Sequence, residues 1–238
     1  INFSTTVPPS NRKYRGNSIE TRLILSGLVW RFGDSTGRGT VAVDDCLARY
    51  YDRSKFRIRG LIDPTIYKDP GTMRMVSSYT DGIVVTGDSL RKAGRLDEAE
   101  QLAQFAYDSL PYDDQVTTLL GAIYADGRKS DKLEYILTRT EGEPRKWLTI
   151  QLARLKNKLG QKTEAEALLN QLLLAYPNYR PAFQELGSLY NESLQYSKLR
   201  TLFEIWLQAN PGDTEIRGLV GELERVAKAR GLTDTIQK

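Results

Sequence analysis

Histidine is absent from this sequence, and Cys46 is its single cysteine. Without histidine there is no Ser-His or Cys-His nucleophile pair, no helical two-histidine zinc motif and no common transition-metal site. A lone thiol can form neither an internal disulfide nor a cysteine metal cluster. Its surroundings, DDCLARYY, read as one turn of an amphipathic helix, where a buried structural thiol is expected. Long hydrophobic runs are missing too. None approaches the roughly 18 residues that span a bilayer, and the Leu168–Ala175 stretch fits a buried helix face. Neither a secretory signal nor an RNA-binding signature occurs, so nucleic acid is not an expected partner. Nor is there an Asp-x-Asp metal pattern, and GDSTGRG lacks the lysine-serine pair of a phosphate-binding loop. No metal or cofactor is therefore expected.

What is present is a chain of 238 residues, 40% hydrophobic and 27% charged, which suits one large or two small globular domains. Its net charge of +4 is unevenly spread. Residues 1–79 hold thirteen Lys/Arg against seven Asp/Glu, and the remainder is slightly acidic. A solvated arginine-rich surface is the plain reading; phosphate, an anionic membrane surface or an acidic partner is the other. The chain opens on Ile1 in what reads as mid-strand sequence, so it is expected to be part of something longer.

Fixed-period self-similarity organises the rest. Gly87–Pro111 places Gly87, Leu90, Gly94, Ala99, Ala106 and Pro111 at tetratricopeptide spacing. Lys156–Pro177 repeats its second half through Gly160, Ala165 and Pro177, and Phe183–Pro211 gives Gly187, Tyr190, Leu199, Phe203 and Pro211. Pro177 and Pro211 lie 34 residues apart, the period of that repeat. The unit between is eroded: Gly121 and Tyr124 remain, Leu133 replaces a small residue, and two residues are missing near Gly127 or Pro144. Small residues at 87, 121, 153 and 187 allow close helix approach. Gly94 and Gly160 allow a left-handed helix end, and the prolines stop second helices. The repeats are placed at 80–113, 114–145, 146–179 and 180–213. Ile216, Leu219, Val220, Leu223 and Val226 form the apolar side of a capping helix in 214–238.

Residues 1–79 do not repeat. INFSTTV and GLVWRFG read as strands, NSIETRLILSG as a short helix capped by Asn17 or Ser18, and FRIRG as a third extended segment. A helix is expected from about Asp44 to Arg53. Two Asp-Pro turns in DPTIYKDPGT lead into a long helix that runs on into the first repeat. The fold class is thus mainly α. It comprises a tetratricopeptide-like superhelix of about four hairpins with a capping helix, preceded by a small α/β module with a short antiparallel sheet.

TTVPPSN, LILSGLVWRFGD and RYYDRSKFRIRGLIDPTIYKDPGTMRM, followed by such repeats, resemble one family over nearly the whole chain. It is the C-terminal soluble part of bacterial membrane glycosyltransferases of family 117, themselves similar to protein O-mannosyltransferases. The most specific element is Gly60-Leu61-Ile62-Asp63-Pro64, Tyr67 and Arg74-Met75. The resemblance implies that sugar transfer belongs to a membrane-embedded N-terminal part. This chain would then be a non-catalytic accessory domain on the extracytoplasmic side, bracing the enzyme or holding its acceptor protein. The alternative is a stand-alone adaptor that binds a peptide of a partner.

Asp44-Asp45 and Asp113-Asp114 could pair as glycosidic acid and base, but each precedes a helix, where capping explains them better. On the concave face, register places Val84, Asp88, Arg91 and Lys92, then Trp147, Ile150, Arg154, Asn157 and Lys158, then Gln184, Ser188, Asn191 and Glu192. Of these, Arg91, Lys92, Trp147, Arg154, Asn157, Lys158 and Asn191 are the candidate binding residues for a protein or peptide. The front arginines Arg22, Arg31, Arg49, Arg57 and Arg59 read as the polar side of their elements.

Overall fold

The computed structural model describes residues 2–4, 9–14, 17–18, 23–27, 29–32, 41–52, 60–61, 63, 65–110 and 112–229. By its contacts the chain forms two compact units, Ile1–Lys129 and Ser130–Lys238. The fold is mainly α, with a small α/β module at its start.

In the first unit, strands β1 (Asn2–Ser4), β4 (Leu23–Ser26) and β5 (Val29–Phe32) form an antiparallel sheet in the order β1-β5-β4. Strands β2 (Lys13–Tyr14) and β3 (Asn17–Ser18) form a separate two-stranded ladder. The short helix expected over Asn17–Gly27 is therefore wrong. Leu23 and Leu25 are fully buried while Ile24 is only partly so, and this period of two belongs to a strand paired with β5. FRIRG lies outside the described residues except for Gly60, which sits in a turn. Helix α1 (Val43–Tyr51) packs on β4 through buried Cys46 and Tyr50. The Tyr50 hydroxyl donates to the Gly27 carbonyl at 2.9 Å. Cys46 is fully buried, and that burial raises its thiol above its ordinary range, as suits a packing residue.

Asp69 caps helix α2 (Pro70–Lys92) by accepting from the Gly71 and Thr72 amides. The boundary expected at 79/80 falls inside this continuous helix. Helix α3 (Leu96–Ser109) packs back on α2, and α4 (Asp114–Asp126), capped by Asp113, covers both.

The second unit holds α5 (Ser130–Thr138), α6 (Gly142–Lys158), α7 (Lys162–Ala175), α8 (Arg180–Glu192), α9 (Tyr196–Ala209) and α10 (Thr214–Ala229). Helices α6/α7 and α8/α9 are antiparallel hairpins; α5 packs on α6 and α10 on α9. Pro177 and Pro211 each stand two residues beyond a second helix, as expected, while Pro111 lies outside the described residues.

The repeat register is exact in the backbone. First helices end at Lys92, Asp126, Lys158 and Glu192, spaced by 34, 32 and 34 residues. Second helices begin at Leu96, Ser130, Lys162 and Tyr196 with the same spacing. The missing pair therefore lies between Ser130 and Lys158, the side of Pro144 rather than Gly127. There α5 is cut to 9 residues against 14 in its counterparts. Arg145 closes the shortened connection by donating to the Leu137 and Thr140 carbonyls, both at 3.1 Å.

Candidate binding groove

Within the second unit, α6 packs directly on α8, whereas α10 leans chiefly on α9. The space left between α8 and α10 is a groove of about 550 Å³, a volume typical of ligand clefts. Its floor is apolar: Phe183, Leu199, Phe203, Ile216 and Leu223 are all at least nine-tenths buried. Beneath it the Phe183 ring stacks on Trp206 with centroids 4.2 Å apart, which fixes the floor in place. The rim on α8 is polar, with exposed Gln184, Ser188 and Asn191 at helical spacing. The rim on α10 carries exposed Glu215, Leu219 and Glu222.

One carboxylate ties the three framing helices together at the mouth. Asp213 accepts from the Trp206 indole at 3.0 Å, from Arg180 Nη1 at 3.1 Å and from the Ile216 amide at 3.2 Å. These bonds, the indole foremost, hold its carboxyl below the usual carboxylate range. Arg180 also reaches Glu215 at 2.5 Å.

The candidate residues fall into both units. In the first, Arg91 pairs with Asp88 at 2.8 Å and Asp126 at 2.5 Å, and Lys92 pairs with Asp88 at 2.6 Å. In the second, Arg154 pairs with Glu185 at 2.7 Å, and Asn157 donates to Glu192 at 3.2 Å. Lys158 is exposed, Trp147 half-buried, and Asn191 lines the groove. Ile150 belongs to the buried core at 4% exposure, so it does not stand on an open face; it joins the cluster formed with residues of α7 to α10.

The front carboxylates are engaged differently from expectation. Asp44 and Asp45 lie in the first turn of α1 but make no capping bond. Asp44 instead pairs with Arg95 at 2.8 Å, and Asp45 takes the Ser26 hydroxyl and sits within ion-pair reach of Arg49 and Arg31. Asp113 does cap α4, accepting from Gln115 and Val116. Among the described residues no group of three or more Cys, Asp or Glu could hold a metal ion, and no helix is long and apolar enough to cross a membrane.

Sequence reasoning missed the α10 wall. The signal was available in the 216, 219, 220 and 223 stripe, of which Ile216 and Leu223 are buried while Leu219 is left 39% exposed beside the groove. No family model matches the chain, and no curated protein matches it.

Proposed function

We propose that the chain is a non-catalytic binding scaffold whose second unit holds an extended segment of a protein in the α8–α10 groove. The carrying observation is that groove: a buried aromatic and aliphatic floor beneath a rim of exposed amide and hydroxyl side chains. Such a rim reads peptide backbone, and such a floor takes side chains. The carboxylates that could have served glycosyl chemistry are spent on ion pairs and a cap. Turnover of a sugar donor by the purified chain would overturn the non-catalytic reading.

The setting we propose is the extracytoplasmic side of a bacterial membrane, as the accessory part of a glycosyltransferase related to family 117. Its support is the Gly60–Met75 motif. The reading frame upstream of the Ile1 codon tests it. Several encoded hydrophobic spans are expected, and a frame without them favours a stand-alone adaptor using the same groove.

A further inference from the structure

The charges around the groove point to the chemistry of its occupant. We infer that it takes an extended peptide in which a lysine or arginine stands one or two residues from a bulky apolar side chain, an inference that rests on the scaffold reading above. Among the described lining residues the single cation is Arg180, and its guanidinium is already shared between Asp213 and Glu215. That cluster therefore keeps one uncompensated negative charge. Glu222 adds another one turn past Leu219, with no ion pair among the described residues. Two arginines on α10 are turned to backbone carbonyls and pair with no carboxylate among the described residues: Arg217 donates to Pro211 at 2.5 Å and Arg225 to Gly221 at 3.3 Å. At the far end of α8, Glu192 is held among the described residues by the neutral donors Asn157 and Ser188, each at 3.2 Å.

An acidic rim over an apolar floor repels acidic segments and favours cationic ones, which is selection by charge. The spacing follows from geometry. Leu219 lies between Glu215 and Glu222 on successive turns, so an apolar side chain entering beside Leu219 leaves a neighbouring cation within reach of either carboxylate. Gln184, Ser188 and Asn191 stand opposite, where they can bond the peptide's own amides.

The test is to pan a displayed random dodecapeptide library on the purified chain and measure the recovered peptides by fluorescence anisotropy. A consensus pairing Lys or Arg with Leu, Ile, Phe or Tyr is expected. Its affinity should fall about threefold with Glu222→Gln, about tenfold with Glu222→Lys, and further as salt is raised. Leu219→Ser should cost about tenfold. Both positions are exposed, so unchanged circular dichroism is the folding control. An acidic consensus, or binding indifferent to Glu222→Lys and Leu219→Ser, overturns this inference while leaving a scaffold that binds elsewhere. Recovery of no peptide of any kind overturns the scaffold reading as well.

Discussion

Four residues occupy the same position after a first helix: Gly94, Arg128, Gly160 and Leu194. All four have positive φ, between 55° and 82°. In each, the next amide bonds the carbonyl five residues back, as Arg95 to Leu90, Lys129 to Tyr124, Gln161 to Lys156 and Gln195 to Tyr190. This is one Schellman turn made four times, twice without the glycine that suits it. A side chain in that conformation costs about 1–2 kcal/mol, partly offset by the extra freedom glycine has when unfolded. Leu194→Gly should therefore raise stability by about 0.5–1 kcal/mol, read as a higher urea midpoint, since Leu194 is 64% exposed and loses little packing. Gly160→Ala should do the reverse although its Cβ would meet nothing within 4 Å. Asp213 gives a second test at this scale. Its folded carboxyl titrates below the usual range, so its contribution is present at neutral pH and lost as pH falls through that lowered value. Asp213→Asn keeps a capping side chain but removes the charge. The variant should melt below the parent at pH 7, the gap should begin to narrow below about pH 4, and the two melting temperatures should converge once the pH has fallen through the lowered value.

At the scale of elements, equivalent small residues have unequal jobs. A Cβ on Gly87 in α2 would lie 2.7 Å from Leu119 Cδ2 on α4, and Leu119 is held in the core at 5% exposure. A Cβ on Gly187 in α8 would meet nothing closer than 3.6 Å, and Ala153 already occupies the matching place in α6. Gly87→Ala should thus cost about 1 kcal/mol through overpacking, whereas Gly187→Ala should gain about 0.5 kcal/mol from helix propensity. Thermal melts of the two single variants, shifted in opposite directions, would check the pair. Spacing announced both glycines, but only the distance to a neighbouring helix separates them. The same limit explains the other gains and losses. Gly94 and Gly160 were legible because residue type signals the turn; Arg128 and Leu194 were not, because nothing in those side chains does. Leu23–Ser26 misled because four residues with one polar member fit either period, and pairing with β5 decided between them. The groove was illegible for a deeper reason: it arises from where α10 leans, while its individual residues read as ordinary core and surface.

For the molecule as a whole, the question is how much chain the groove needs. The buried cluster beneath it runs from Ile150 to Leu223 and draws every member from α6–α10. Stacked hairpins owe their stability to nearest neighbours, so removing an end should cost one interface and leave the rest standing. A fragment of residues 142–238 loses α5, which packs on α6 and buries Leu133, Ile136 and Leu137. It also loses the Glu134 partner of Lys156, whose ammonium keeps Glu164 at 2.9 Å. None of these losses removes the α6–α8 contact or the Arg154–Glu185 pair, which both remain within the fragment. The fragment should give a helical far-UV circular dichroism spectrum and a single urea transition at a lower midpoint than the full chain. It should also bind the selected peptides with unchanged affinity, because all the described lining residues come from α8, α9 and α10. An unfolded fragment would show that α5 is required to close the core. A folded fragment with weakened binding would place part of the peptide's contact outside α6–α10.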